Sequence, residues 1–251
     1  MAKLAFTPNA DGFAFPNAFT FGPSDRATLA REVAPAIDGA LALLGPLGVA
    51  GRVVDARTRL SELALAYVPD RYGLCGGMAF AALDYYHAGL PVPRAGGPQV
   101  PAAGSSLQGY LWGRLLDSWR LNGVTFLEWK ARLCVLPQRW PFDPGRRALR
   151  DRSRAQWTVL TARIDAGEPT ALGLVSEARD PFQDHQVLAY GYEATGRSGG
   201  RIYVYDSPDA EQTIDVDWSG EPLRVAESCD RGVPTRGFFC EAYRPVIPPD
   251  G

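Results

Sequence analysis

A cysteine framed by glycine opens one stretch of the chain, Gly73-Leu74-Cys75-Gly76-Gly77-Met78-Ala79-Phe80, and Asp184-His185-Gln186 and Tyr205-Asp206 follow far downstream. In chain order these supply a thiol, an imidazole and a carboxylate. A thiol attacks a carbonyl carbon as the thiolate, and a helix N-terminus and a neighbouring imidazole both favour that form. Cys75 is therefore the candidate nucleophile, His185 the candidate general base and later acid, and Asp206 the candidate group that orients the ring. Each has a plainer reading. Cys75 would also suit a small buried core position, and Asp206, ahead of Ser207-Pro208, an ordinary turn. Asp184 and Asp209 are reserve acids. His87 lies near the end of the stretch that Cys75 opens, where an imidazolium suits the helix dipole, and is assigned to capping.

These groups need elements to carry them. Met78, Ala79, Ala82, Leu83 and Tyr86 recur at three and four residues, which predicts an inward-facing helix from Met78 to Ala88 with Cys75 at its head and Gly89-Leu90-Pro91 as its stop. Upstream, residues 1 to 23 are rich in Phe, Pro, Asn and Gly and read as an irregular segment held down by its aromatics. Ser24 or Asp25 then caps a helix over Ala27 to Leu44, kinked near Pro35, and Arg57 to Tyr67 reads as a second. Beyond a Pro/Gly loop, helices are predicted over Leu107 to Leu121, Phe126 to Leu133 and Arg154 to Ala166. From Pro169 the texture changes to short apolar runs bounded by turns: Ala171 to Val175, Gln186 to Tyr192, Arg201 to Tyr205, Thr213 to Val216 and Gly237 to Tyr243. These predict antiparallel strands. Helices first and sheet second is an α+β layout, with the thiol on the helical half and the imidazole and carboxylate on the sheet half.

Composition narrows the function classes. The 251 residues are 46% hydrophobic and 22% charged, an ordinary globular profile. A formal net charge of −2 provides no broad basic field for nucleic acid. The local run Arg146, Arg147, Arg150, Arg152 and Arg154 is interspersed with acid and reads as a solvated face. No segment is long and apolar enough for a membrane span, and residues 1 to 9 lack the apolar run of a signal peptide, so the expected location is cytoplasmic. Four cysteines without a CxxC, and only two histidines, predict neither a metal site nor a disulfide framework, and no cofactor is expected. Cys134 reads as core. Cys229 and Cys240 read as free thiols, with a hairpin bridge as the alternative in an oxidising compartment.

Cysteine at a helix start, then Trp157 to Ala166, "IDAGEPTALGLV" (Ile164 to Val175), "HQVLAYGY" (His185 to Tyr192) and "IYVYDSPD" (Ile202 to Asp209), resembles the papain-like cysteine peptidase superfamily. Within it the texture is most similar to the bacteriocin-processing, double-glycine-type peptidases. The likeness covers roughly residues 68 to 245. It implies a papain-like catalytic domain over 68–251 with a helical and loop insertion at 91–150, preceded by a packed 1–67 region. It also implies a Cys75-His185-Asp206 triad, a peptide or other acyl-containing substrate, and an acyl-enzyme intermediate. Papain-like peptidases usually carry a Gln about six residues before the cysteine as oxyanion donor, and this chain has Pro69 there, beside Asp70 and Arg71. The Cys75 backbone N–H remains a donor, Gly76 and Gly77 are assigned to leaving room for a substrate carbonyl, and Arg71, Tyr72 and Gln186 are the candidates for a second donor. Three functions fit: a thiol hydrolase, an acyltransferase or cyclase using the same triad, and a catalytically silent papain-like binding module. The oligomeric state is left open.

Overall fold

The computed structural model describes residues 1–20, 22–44, 71–94, 99–134, 144–178, 183–208, 210–220, 223–228 and 232–249. The helix expected over Arg57 to Tyr67 lies outside them, as do Asp70, Asp209 and Cys229. The architecture is mixed: helices and an antiparallel sheet, the expected α+β class.

The sheet is built from β4 (Thr170–Ser176), β5 (His185–Ala194), β6 (Gly199–Asp206), β7 (Ala210–Asp217), β8 (Arg224–Glu227) and β9 (Thr235–Cys240), in the spatial order β8-β7-β6-β5-β4-β9. Each predicted strand is present, the first four extended by a residue or more at their ends, while β9 starts two residues earlier than expected and stops at Cys240, three residues short of Tyr243. β8 was not predicted, because its half-exposed, charge-bearing sequence carries no apolar run. A seventh strand comes from the chain start: β1 (Ala2–Lys3) pairs antiparallel with the far end of β5, Ala2 opposite Tyr192 and Lys3 opposite Gly191.

Strand alternation feeds two cores, because successive side chains leave a strand on opposite faces. Leu188, Tyr190, Tyr205 and Ala171 pack toward α3 (Cys75–Ala88), joining Met78, Ala79, Phe80 and Leu83. Val187, Ala189, Ile202, Val204, Leu172 and Leu174 face the other way, onto Leu160 and Ile164 of α5 (Pro144–Asp165). The sheet is thus covered on both faces, and β5 is buried along most of its length. The short α1 (Pro8–Asp11) and the segment around it belong to the first core: Phe6, Phe13, Phe15 and Phe19 are all buried there. β2 (Phe19–Thr20) pairs with β3 (Arg71–Tyr72), which ties this segment to the chain just ahead of Cys75.

Three helical expectations are corrected. α2 (Pro23–Leu44) starts earlier than predicted and runs through Pro35. The two helices expected at Leu107 to Leu121 and Phe126 to Leu133 are one, α4 (Ser106–Cys134), continuous through Asn122-Gly123. Those residues look like a stop, but Asn122 is satisfied by the strand-following segment: its side chain donates to the Ala242 carbonyl at 3.0 Å and accepts the Ala242 N–H at 2.7 Å. Gly123 lets α2 approach, since a Cβ there would stand 2.9 Å from that of Ala36. Tertiary partners override local propensity. α5 begins at Pro144, ten residues earlier than predicted, and takes in the arginine run. Arg152 pairs with Glu128 at 2.7 Å, Arg146 pairs with Glu177, and Arg150 pairs with its neighbour Asp151 at 2.8 Å, so this face is occupied by ion pairs.

Among the described residues no helix is long and apolar enough to cross a membrane.

Candidate active site

The first turn of a helix has N–H groups without intrahelical partners, and Ser, Thr, Asp or Asn usually caps them. The residue before α3 is Leu74, and no side chain caps the turn that carries Cys75, Gly76 and Gly77. The Leu74 N–H itself donates to Oδ1 of Asn17, from the aromatic N-terminal segment. Gly73 has no room for a side chain because the Asn17 amide nitrogen would lie 2.7 Å from its Cβ.

His185 is the first residue of β5 and Asp206 the last of β6, so the hairpin between them places both at one end of the sheet. The His185 Nε2 lies 2.9 Å from Asp206 Oδ1, both residues being buried. The ring also lies close enough to the Cys75 sulfur for the two to interact electrostatically. With Nε2 held by Asp206, Nδ1 is the nitrogen left to face the thiol. Burial opposes a charge on this ring, but the Asp206 carboxylate and the Cys75 sulfur outweigh it and raise its pKa to about 9. The imidazolium is therefore the favoured form at neutral pH.

This has a measurable consequence. The folded pKa exceeds the unfolded value of about 6.5, so the stability that the pair contributes is complete below about pH 6.5 and is lost as the pH rises through about 9. The melting-temperature advantage of the wild type over His185→Gln is expected to be largest near pH 6 and to shrink steadily up to pH 9.5. A constant difference across that range would contradict the ion pair.

Asp184, the neighbouring reserve acid, is taken up elsewhere. Its Oδ1 accepts from Lys130 Nζ at 2.7 Å and from the Ser176 N–H and Oγ, both at 2.8 Å. Lys130 is itself buried and donates to the Ser176 carbonyl at 2.9 Å. The pair anchors the start of β5 to α4 and β4 and so holds His185 in place.

Gln186 points to the opposite face of β5. Its Nε2 donates to Glu241 Oε1 at 2.6 Å, and its Oε1 faces the Cys75 sulfur at 3.9 Å. Glu241 is fully buried, and burial raises its carboxyl to about 8 despite the Gln186 bond, so it holds a proton at neutral pH. The expectation that Gln186 donates to an oxyanion is therefore not met by this geometry, because its NH2 is committed to Glu241. The reading of the two glycines also changes. A Cβ on Gly76 would lie 2.1 Å from Gln186 Oε1, and one on Gly77 would lie 2.2 Å from the Leu111 carbonyl oxygen of α4. Their missing side chains let α3 seat against β5 and α4, and leave no gap for substrate. Arg71 and Tyr72 contribute backbone pairing in β3, and their side chains lie outside the described residues.

Cys75, His185 and Asp206 wall a cavity of about 560 Å³ together with Asn17, Ser176, Gln212 and Thr235. No family model, curated protein or solved structure matches the chain. What the site does must then be read from its own geometry.

The remaining predicted positions separate from the site. His87 stacks on Tyr243, ring centroids 5.8 Å apart, at the far end of α3, where Gly89 closes the helix in the left-handed conformation at φ 65°. Cys240 is a free thiol that burial pushes up to about 12. The side chain of Cys134 lies outside the described residues. Among the described residues no group of three or more His, Cys, Asp or Glu is placed to hold a metal. The residue that sequence reasoning missed is Asn17. Its one local signal is a short polar side chain, after Pro16, in an otherwise aromatic run.

Proposed function

We propose that this chain is a papain-like thiol enzyme that acts on an amide or related acyl bond of a peptide or other acyl-containing substrate, with hydrolysis as its outcome. The observation that carries the reading is the placement of one imidazole between a thiol and a buried carboxylate, at the wall of a cavity. The Cys75 thiolate would attack the carbonyl carbon, forming a C–S bond while the carbonyl π electrons move to oxygen. His185, as imidazolium, would give its proton to the leaving group as the tetrahedral adduct collapses. The neutral imidazole would then take a proton from water, whose oxygen attacks the thioester carbonyl; the C–S bond breaks, the acid leaves, and the thiolate and imidazolium are regenerated. Asp206 would keep the ring oriented and stabilise its charge throughout.

Alkylation by iodoacetamide, followed by peptide mapping between pH 5 and pH 10, tests this without a known substrate. Cys75 is expected to be labelled first at neutral pH, at least about tenfold faster than Cys240, whose thiol burial keeps protonated. His185→Ala is expected to erase that advantage. If Cys75 reacts no faster than Cys240, or if the advantage survives in His185→Ala, the catalytic reading fails and a silent binding domain takes its place.

A further inference from the structure

A thiol that attacks a carbonyl generates negative charge on the oxygen, and donors already aimed at that oxygen are usually the largest single contribution to catalysis. Resting on the reading of Cys75 as nucleophile, we propose that Asn17 is a catalytic residue: its side-chain NH2 and the backbone N–H of Cys75 together hold the oxygen of the tetrahedral adduct.

The orientation of the carboxamide supports this. Asn17 Oδ1 accepts the Leu74 N–H, one residue before the nucleophile, so its NH2 is directed away from that bond and stands beside Gly73. Asn17 walls the large cavity, and it also walls a smaller one immediately around Cys75, with Gln186, Asp206 and Ser207. Among the described residues lining that smaller space, Asn17 and Gln186 are the two carboxamides. The Gln186 NH2 is held by Glu241 at 2.6 Å, and Ser207 Oγ is spent on the Phe15 carbonyl at 2.6 Å. Asn17 is the one whose NH2 has no described protein acceptor. The first turn of α3 has no side-chain cap, which leaves the Cys75 N–H as a second donor.

The position is also rigid, as a preorganised donor requires. The segment carrying Asn17 is fastened on both sides. Tyr205 Oη accepts the Phe13 N–H at 2.8 Å, Ser207 holds Phe15, and β2 pairs with β3, Phe19 opposite Tyr72. Phe13, Phe15 and Phe19 are each at most 3% exposed. The donor comes from a segment more than fifty residues upstream of the nucleophile, where the peptidases that this chain resembles use a Gln just ahead of the cysteine.

Two reagents separate the role from the rest of the site. With p-nitrophenyl acetate the thiolate forms a C–S bond at the carbonyl carbon, the π electrons pass to oxygen and return, and p-nitrophenolate leaves as a stable anion with the C–O bond pair. That reaction needs an oxyanion site. Iodoacetamide is displaced at a methylene carbon, iodide leaving, and develops no oxyanion. Asn17→Asp keeps an oxygen for the Leu74 N–H and removes the donor, and Asn17→Ala removes it without adding charge. In both variants the rate of Cys75 acylation divided by the rate of Cys75 alkylation is expected to fall about 10²- to 10³-fold from its wild-type value. An unchanged ratio in either folded variant overturns the assignment, and so does a parallel loss of both rates, which would mean that Asn17 acts on the thiol or the fold. A wild type whose Cys75 is inert to both reagents would instead overturn the parent reading, and the assignment with it.

Discussion

Asp206→Asn is expected to slow acylation of Cys75 by p-nitrophenyl acetate about 10³- to 10⁴-fold at pH 7 while leaving the fold intact. The replacement is nearly isosteric and can still meet His185 Nε2, so the loss would be electrostatic. Three influences set the charge on His185: burial opposes it, and Asp206 and Cys75 favour it. Removing the carboxylate leaves the Cys75 sulfur alone to oppose the burial penalty, so the imidazole loses much of its charge and becomes a weaker acceptor for the Cys75 proton. The amide side chain can also donate to Nε2, which would fix the tautomer with its proton on Nδ1, toward the sulfur. NMR titration of His185 supplies an independent reading. Its midpoint is expected to fall from about 9 toward the ordinary value of about 6.5. A variant that acylates within tenfold of the wild-type rate would show that Asp206 is a turn residue after all.

Asp84→Ala carries the largest expected effect on stability. Asp84 sits on α3, nine residues after Cys75, with about 1% exposure, and its carboxylate collects four partners. Tyr110 Oη and Tyr243 Oη each donate at 2.6 Å, the Val246 N–H donates at 3.0 Å, and the buried Arg114 guanidinium pairs with it at 2.7 Å. Burial and the carboxylate together raise both tyrosine hydroxyls above their ordinary value, so they stay protonated donors. The substitution would leave two phenols without their acceptor and take one partner from the buried Arg114, which keeps Asp117 at 2.8 Å and the Arg244 carbonyl at 2.9 Å, and it costs about 3 kcal/mol. Urea unfolding should show it, with the Cys75 alkylation rate of the molecules that remain folded little changed, because nine helical residues separate the two sites by about 13 Å. A cost below about 1 kcal/mol would mean that water replaces the lost partners.

The three residues that wall one end of the cavity, Cys75, His185 and Asp206, were legible because each stands at a boundary that sequence patterns mark well. Cys75 precedes a run with helical periodicity, His185 opens a continuous apolar strand, and Asp206 closes its neighbour. Short apolar runs bounded by turns likewise exposed five strands, because β4 and β5 are buried almost end to end and β6, β7 and β9 carry shorter apolar stretches. β1, β2 and β3 are two residues each, too short for any period to appear, and they hold by pairing alone. Asn122-Gly123 imitated a helix end because its stabilising partner, Ala242, is remote in sequence. Asn17 was invisible for the same reason: its meaning lies in a bond to Leu74, 57 residues away. Gly76 and Gly77 were noticed, but what fills the space beside them, Gln186 and Leu111, can be known only once the helices and sheet are assembled.

His185 and Gln186 are consecutive, leave β5 on opposite faces, and both face the sulfur of Cys75, one backed by Asp206 and the other by the protonated carboxyl of Glu241. The proposed chemistry is consequently a parity property of one strand. Shifting β5 by a single residue against β4 and β6 would exchange the two arms, aiming the carboxamide at Asp206 and the imidazole at Glu241. Such a protein would keep its composition, its hydrogen-bond count and much of its bulk, yet its thiol would lose its base. Thiol reactivity would then act as a molecular checksum on the assembly of the sheet, silent in every misaligned copy.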